Sequence, residues 1–398
     1  MRRDSHATTR ALWQRSMKAT ELRIALFSGN YNYVRDGPTQ ALNRLVGYLL
    51  AQGAAVRVYA PTVANPAFAP TGDLVSAPSF ALPGRSEYRV AIGLPGVLRR
   101  DLAAFAPNLV HVSAPDFLGH RAVTWARNHD LPVVASVHTR FETYLRYYGG
   151  AFLEPAAVAI LRRFYRRCDA ILPPSQSMVD LLREQRMNDD IGIWSRGVDR
   201  TIFTPAARDL AWRRDLGIGD TEFVIGFLGR LVLEKGLDVF ASVIAELERR
   251  GVAHRVLVIG EGPARGWFAS QVPTAVFGGF QEGKDLGRAV ASMDVLFNPS
   301  VTETFGNVTL EAMACAVPVV AAIATGATSL IDDGVNGRLV DPSNIAGYAD
   351  ALQAYAQDRD LADDQGLAGE SLSSAYGWDA INQKVVDKYL AVLARRGR

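Results

Sequence analysis

The residues best placed to do chemistry lie in the segment Asn298–Ala314, N-P-S-V-T-E-T-F-G-N-V-T-L-E-A-M-A, which follows a buried apolar run and opens a helical pattern. The first amides of a helix have no intrahelical acceptor, and the helix dipole adds partial positive charge there. Gly306, Asn307 and Val308 are therefore expected to offer N–H groups to a phosphate, with Gly306 letting a ligand approach the backbone closely. Glu303 and Glu311 stand eight residues apart, which on one continuous helix is about 12 Å. Carboxyl pairs that cleave glycosidic bonds sit roughly 5 Å apart, or up to about 9.5 Å, so these two read as separate contacts along one extended ligand. A nucleotide sugar has that length, with Glu311 accepting hydrogen bonds from a ribose and Glu303 holding sugar hydroxyls.

A second cluster, G-F-L-G-R-L-V-L-E-K-G at Gly226–Gly236, ends another apolar strand pattern. Arg230 and Lys235 flank its strand-to-helix turn. Two fixed cations aimed at the Gly306 helix start can neutralise a departing diphosphate without a metal. The bland alternative pairs them locally, with Glu234 or Asp238.

The elements that must position these groups follow from periodicity. Short apolar runs at Leu22–Phe27, Val56–Tyr59, Leu109–Val112, Pro132–Ser136 and Ala170–Leu172 alternate with amphipathic stretches such as Gln40–Gln52. That is the pattern of a parallel sheet covered on both faces. After a polar stretch, Ser195–Pro205, the cycle restarts at Phe223–Phe227, with a helix at Val239–Arg250 and strands at Arg255–Ile259, Ala275–Phe277, Val295–Asn298 and Val317–Ala321. The expected organisation is α/β, with two doubly wound Rossmann-like domains sharing a cleft. The first covers 21–195 and the second, which carries both sequence clusters above, covers 196–377. A helix at 378–393 closes the chain and packs back on the first domain. Ligands of open α/β sheets bind outside the carboxyl ends of the strands, so the site is expected where the two sheets face one another.

Composition narrows the class. The chain has 398 residues, 48% hydrophobic and 21% charged, with 43 Lys plus Arg against 41 Asp plus Glu. A net charge of +2 lacks the basic excess of a nucleic-acid coat protein. Cys168 and Cys315 are far apart and form neither a disulfide framework nor a zinc spacing, which fits a reducing cytoplasm. No apolar run approaches the roughly 20 residues that span a bilayer. The first twenty residues carry Arg2, Arg3, Arg10, Arg15 and Lys18 against Asp4 without an apolar signal core, and read as a disordered basic tail for which Met17 is an alternative start.

Taken together, R-x-x-x-E-K-G at Arg230–Gly236, G-E-G-P at Gly260–Pro263 and E-x7-E from Glu303 to Glu311 resemble glycosyltransferase family 4, retaining enzymes of the GT-B fold. G-E-G-P-A-R-G does not match the dinucleotide fingerprint, which disfavours a dehydrogenase. The resemblance implies that Arg230 and Lys235 bind the donor diphosphate, Glu303 the transferred sugar and Glu311 the donor ribose. It also implies that Gly260, Glu261, Phe305, Gly306, Asn307, Val308 and Thr309 line the donor. Gly37, in D-G-P-T at Asp36–Thr39, occupies the first domain's glycine-loop position, where the family often has two glycines and this chain has Gly37-Pro38. His138, in H-T-R-F-E-T-Y, is implied to contact a donor sugar hydroxyl; a histidine just past a buried strand also serves as a structural residue.

The N-Y-N-Y-V-R-D-G and H-T-R-F-E-T-Y segments look most like the subgroup of sulfoquinovosyl-diacylglycerol synthase and GDP-mannose-dependent α-mannosyltransferases. The implied reaction moves a mannosyl- or glucosyl-type hexose from a GDP- or UDP-sugar to a hydroxyl acceptor on a membrane glycolipid, with retention, no cofactor and no metal. A polysaccharide or polyprenyl-linked glycan is the alternative acceptor, and sugar-nucleotide epimerisation on the same fold the alternative chemistry. At Ile160–Cys168, a helical step puts Ile160, Leu161, Phe164, Tyr165 and Cys168 on one stripe and Arg162, Arg163, Arg166 and Arg167 opposite. Four cations on one side gain about 1 kcal/mol each near anionic lipid, which suits a peripheral protein at the inner face of the plasma membrane. The aromatic residues Phe141, Tyr144, Tyr147 and Tyr148 read as core or as an acceptor channel.

Overall fold

The computed structural model describes residues 17–82, 85–140 and 151–397. Two compact units form: one from Met1–Pro173, Leu182–Trp194 and Asn382–Arg398, the other from Pro174–Leu181 and Ser195–Ile381.

In the first unit the strands are β1 (Arg23–Phe27), β2 (Ala55–Ala60), β3 (Asp73–Ser76), a hairpin of β4 (Ser79–Leu82) and β5 (Arg85–Ala91), β6 (Leu109–Val112), β7 (Val133–Ser136) and β8 (Ala170–Leu172). Six of them make one parallel sheet in the order β3-β2-β1-β6-β7-β8, and the hairpin stands apart as an antiparallel pair. The second unit repeats the order with β9 (Val224–Leu228), β10 (Arg255–Ile259), β11 (Val276–Gly279), β12 (Val295–Asn298), β13 (Val319–Ala322) and β14 (Arg338–Val340), as β11-β10-β9-β12-β13-β14. Each sheet reverses direction of growth once, between β1 and β6 and between β9 and β12. Loops leaving the strands on either side of such a reversal diverge to opposite faces and open a crevice at the carboxyl ends.

Alternate residues of the second sheet feed two cores, as both-face burial requires. Ile225, Phe227, Val256 and Val258 pack on one side with Phe240, Phe268 and Tyr348, while Val224, Leu257, Ile259 and Leu296 pack on the other with Leu310 and Met313. Phe240 stacks on Phe297 at 4.9 Å and meets Phe227 and Phe268 edge-on at 5.7 and 5.5 Å. Each such ring contributes about 1.5–3 kcal/mol by burial, so this cluster holds the Leu237–Arg249 helix rigidly over β9 and β12.

Several expectations shift. Residues Ala19–Glu21 form a 3-10 turn, so regular structure starts before residue 21; residues 1–16 of the basic tail lie outside the described residues, as do Phe141, Tyr144, Tyr147 and Tyr148. The helix expected from Gln40 begins at Gly37, because the Asp36 carboxylate accepts from the Thr39 amide at 2.8 Å and Thr39 Oγ1 accepts from the Asp36 amide at 3.1 Å. That reciprocal cap, with proline in the first turn, starts a helix earlier than the apolar period shows.

The arginine stripe also changes. Leu161, Phe164, Tyr165 and Cys168 are buried, but Ile160 is 62% exposed, on the side away from the core. The helix runs from Glu154 to Tyr165, with Arg162 and Arg163 in its last turn and Arg166 at its C-cap. Arg162 and Arg166 donate to the carbonyls of Gln185 and Arg186, whereas Arg167 donates to Thr124 Oγ1 on the neighbouring Phe117–Asn128 helix. Of the four, Arg163 and Arg166 are exposed. Arg162 and Arg166 thus satisfy carbonyls of a neighbouring segment while keeping their charge.

Candidate active site

The second unit assembles its chemistry from the two strands that flank the sheet reversal. After β9 the chain makes a 3-10 turn, Leu233–Lys235, closed by Gly236 at φ +73°. A Cβ on Gly236 would lie 3.0 Å from the Pro299 carbonyl oxygen, so glycine permits this loop to press against the one leaving β12. Thr302 Oγ1 donates to the Glu234 carbonyl at 3.3 Å and stitches the loops again. The result joins both sequence clusters: Lys235 Nζ donates to Glu303 Oε1 at 2.6 Å, with the two side chains 29% and 19% exposed. The partner of Lys235 in this pair is thus neither Glu234 nor Asp238 but a residue sixty-eight positions away. Arg230, at the start of the same loop, is exposed.

Glu303 is fixed through its backbone. Its carbonyl accepts from Thr325 Oγ1 at 2.8 Å and from the Gly326 amide at 2.9 Å. A Cβ on Gly326 would meet the Glu303 Cβ at 2.8 Å. Ser175 Oγ donates to the Thr304 carbonyl at 2.9 Å, and Ser177 Oγ to the Thr325 carbonyl. Thr325, Gly326, Ser175 and Ser177 escaped the motif reading. The one signal for Gly326 was a glycine just after an apolar strand, in A-T-G-A.

Gly306 caps the Asn307–Ala314 helix with φ +94°. Among the described residues, the amides of Gly306, Asn307 and Val308 have no backbone or side-chain acceptor, while the Gly306 carbonyl already accepts from Leu310. Three donors at a helix start are the geometry that binds anions. The Asn307 side-chain oxygen is buried with no partner, a further unsatisfied polar atom at this mouth. One turn into the helix, burial pushes the Glu311 carboxyl up to about 8, and the negative charge of Glu303 adds to the rise. Glu311 in the folded chain is therefore mostly protonated at neutral pH, able to donate one hydrogen bond and accept others.

The raised value fixes a pH dependence. The folded state holds the Glu311 proton between the ordinary glutamate range, 4.5, and about 8, while the unfolded chain releases it. This group's contribution to stability is full below 4.5 and is lost as the pH rises to about 8. Glu311→Gln abolishes that slope: thermal unfolding across this window should show the wild type losing several degrees relative to the variant, and parallel curves would exclude the assignment.

Other expected contacts are placed differently. Phe305 is 4% exposed and packs in the core against Tyr376 at 5.9 Å, because the loop turns its ring inward to seal the end of the sheet; its side chain does not line the donor site. Thr309 is fully buried, its Oγ1 3.5 Å from Asn298 Nδ2. Gly260 and Glu261 lie in a loop packed against Gly229–Leu231. A Cβ on Gly260, at φ +135°, would lie 1.9 Å from the Gly229 carbonyl oxygen. The Glu261 carbonyl accepts from the Leu231 amide at 3.0 Å, and its carboxylate pairs with Arg265 at 3.5 Å. This loop sets the course of the backbone through Arg230.

In the first unit, Gly37 lies in the helix cap already described, after the loop that leaves β1. His138 follows β7, half-buried, with Nε2 2.7 Å from Ser136 Oγ and its ring edge-on to Trp194 at 5.5 Å. Among the described residues no group of three His, Cys, Asp or Glu is arranged to hold a metal ion, and no helix is long and apolar enough to cross a membrane.

Both units match known families. Residues 35–201 match the model of Glycosyltransferase Family 4, and residues 222–358 that of Glycosyl transferases group 1. The GDP-mannose-dependent alpha-mannosyltransferase of Mycolicibacterium smegmatis is 32% identical over 387 residues, covering 94% of this chain and 99% of the relative. Sulfoquinovosyl transferase SQD2 of Arabidopsis thaliana is 29% identical, over 91% of this chain and 72% of that protein. Among solved structures, the sucrose-phosphate synthase of Thermosynechococcus elongatus superposes with a TM-score of 0.78 at 19% identity, over 94% of this chain and 99% of that one. The paired parallel sheets are those of the GT-B fold, and the protein is a glycosyltransferase. It belongs to glycosyltransferase family 4.

Proposed function

We propose that this enzyme transfers a hexosyl group, mannosyl first and glucosyl second, from a nucleoside-diphosphate sugar to a hydroxyl on a membrane glycolipid, with retention at the anomeric carbon. The observation that carries the reading is the 2.6 Å contact between Lys235 and Glu303 beside the amides of Gly306–Val308. In the donor complex Lys235 and Arg230 turn to the diphosphate, Glu303 is released to the sugar hydroxyls, and Glu311 takes the ribose. The family resemblance assigns a sugar-hydroxyl contact to His138. As the bond to the anomeric carbon breaks, negative charge grows on the β-phosphate, and fixed cations with unpaired amides stabilise it without reorganising. The same phosphate assists removal of the acceptor proton on the face it leaves. GDP-mannose is the first donor to try, because the mannosyltransferase relative is named for it.

A donor screen by thermal shift tests this, since a ligand bound only by the native state raises its melting point. GDP-mannose, and after it UDP-glucose, should stabilise the chain and support transfer with retained configuration. Stabilisation by neither would overturn the choice of donor, and conversion of the donor sugar without any acceptor would replace transfer with epimerisation.

The cations carry the charge a metal would otherwise carry. Transfer should therefore proceed at an unchanged rate in EDTA; loss of activity restored by manganese would contradict this.

The lipid acceptor finds support in the turn before the Glu154–Tyr165 helix and along that helix, where Phe152, Leu153 and Ile160 are 80%, 45% and 62% exposed, with Arg163 exposed on the same helix. Apolar side chains beside a cation suit the interface of an anionic bilayer. Changing Phe152 and Ile160 to serine should reduce sedimentation with anionic vesicles severalfold, and unchanged sedimentation would favour a polysaccharide acceptor.

A further inference from the structure

Beneath His138 a buried polar chain runs through three separate parts of the first unit. The Tyr389 hydroxyl, on the Trp378–Arg395 helix, lies 2.6 Å from His111 Nδ1. His111, on β6, sets Nε2 3.0 Å from Ser136 Oγ, and Ser136, the last residue of β7, sets Oγ 2.7 Å from His138 Nε2. Tyr389 and His111 are wholly inaccessible and Ser136 is 1% exposed. Trp194 walls the chain, edge-on to the His111 and His138 rings at 6.0 and 5.5 Å. Trp194 is itself tied by Nε1 to Asn382 on the last helix at 3.4 Å.

Such a chain can run in two directions. In the first, Tyr389 donates to His111 Nδ1, His111 Nε2–H donates to Ser136, and Ser136 donates to His138 Nε2. In the second every bond is reversed, His138 Nε2 carries the proton, and the Tyr389 hydroxyl hydrogen is left buried without an acceptor, since His111 is the hydrogen-bond partner of that oxygen. A buried donor with no acceptor forfeits its hydration for nothing, so the first direction prevails. Burial keeps His111 and Tyr389 in the required state. It pushes the His111 imidazole down to about 3, so it is neutral, and raises the Tyr389 phenol so that it keeps its hydrogen.

We propose that Tyr389, acting through His111 and Ser136, is a positioning residue that locks His138 in its Nδ1–H tautomer. His138 is thereby a hydrogen-bond donor at Nδ1 and suits an acceptor oxygen, such as that of a sugar hydroxyl, rather than a group that must donate. The identity of that ligand rests on the function proposed above; the tautomer does not.

The chain contains six histidines, few enough to resolve individually. The full-length protein, labelled with 15N-histidine and free of donor, is examined by two-bond proton–nitrogen correlation at neutral pH, with His111→Gln and His138→Gln used for assignment. His138 should show a protonated Nδ1 and a bare Nε2, and His111 the reverse. In Tyr389→Phe the head of the chain is lost, and both rings should shift to averaged signals of mixed tautomers. In Ser136→Ala the averaging should be confined to His138. A wild-type His138 protonated at Nε2 overturns the proposal, as does a His138 pattern untouched in both variants. The wild-type spectrum decides the direction even where a variant does not fold. Undiminished transfer by His138→Gln would remove the sugar contact while leaving the tautomer standing, so the two failures are distinguishable.

Discussion

Replacing Lys235 with alanine should lower glycosyl transfer by about a hundred- to a thousandfold, the usual loss when one fixed charge-stabilising donor is removed from a transition state. The fold should survive. Lys235 ends a surface turn whose backbone is held independently by Gly236 against Pro299 and by Thr302 on Glu234. Its removal does leave Glu303 without this cation, but at 19% exposure that carboxylate still reaches water. The loss should fall mainly on kcat, because the charge that Lys235 meets grows as the diphosphate departs. Far-ultraviolet circular dichroism and a melting point near that of the wild type establish that the variant is folded. A folded variant with transfer undiminished would remove Lys235 from the mechanism. Glu303→Gln separates charge from hydrogen bonding at its partner: the amide keeps an acceptor for sugar hydroxyls but frees Lys235 from its carboxylate.

Gly260→Ala should be the most damaging single-atom addition in the second unit. The new methyl would sit 1.9 Å from the Gly229 carbonyl oxygen at a backbone angle of +135°, which L residues rarely adopt. Neither partner is a flexible side-chain tip, so backbone must move, at a cost of about 4 kcal/mol or more. What moves is functional. Gly229 donates to the Ile259 carbonyl and Leu231 to the Glu261 carbonyl, so the Arg230 backbone is carried between the two strained neighbours. Nucleoside-diphosphate affinity should fall together with the melting point. Gly266→Ala is the control, since a Cβ there meets nothing within 4 Å and the residue lies in the Arg265–Gln271 helix, where alanine stabilises by about 0.5–1 kcal/mol. Equal melting points for the two alanine variants would show that the G-E-G-P loop is not the support described.

Strands buried on every side chain were legible from sequence. All four residues of Leu109–Val112 and of Val295–Asn298 are buried, and three apolar residues in each marked the strand with the right bounds. Two of the four edge strands were not. Asp73–Ser76 and Arg338–Val340 have no fully buried residue, and each opens on a charged residue that leaves only two apolar positions to read. Local capping defeated the apolar count at Asp36–Thr39.

For the site, the loops were legible because glycine and polar residues after apolar strands mark the carboxyl ends of a sheet. Partners between distant segments were not. Nothing local tells that Lys235 meets Glu303 or that Tyr389 meets His111, 278 positions away. Phe305 shows the opposite error: a motif position is not a direction, and the loop that presents Gly306 points the preceding ring into the core.

The pyrophosphate-binding proposal is tested most directly by a crystal structure of the enzyme with the nucleoside diphosphate that stabilises it. The expected result is a terminal phosphate within hydrogen-bond reach of the amides of Gly306, Asn307 and Val308, with Lys235 drawn from Glu303 onto its oxygens and Arg230 beside it. A diphosphate seated elsewhere, with the Lys235–Glu303 pair intact and those amides facing solvent, would contradict it.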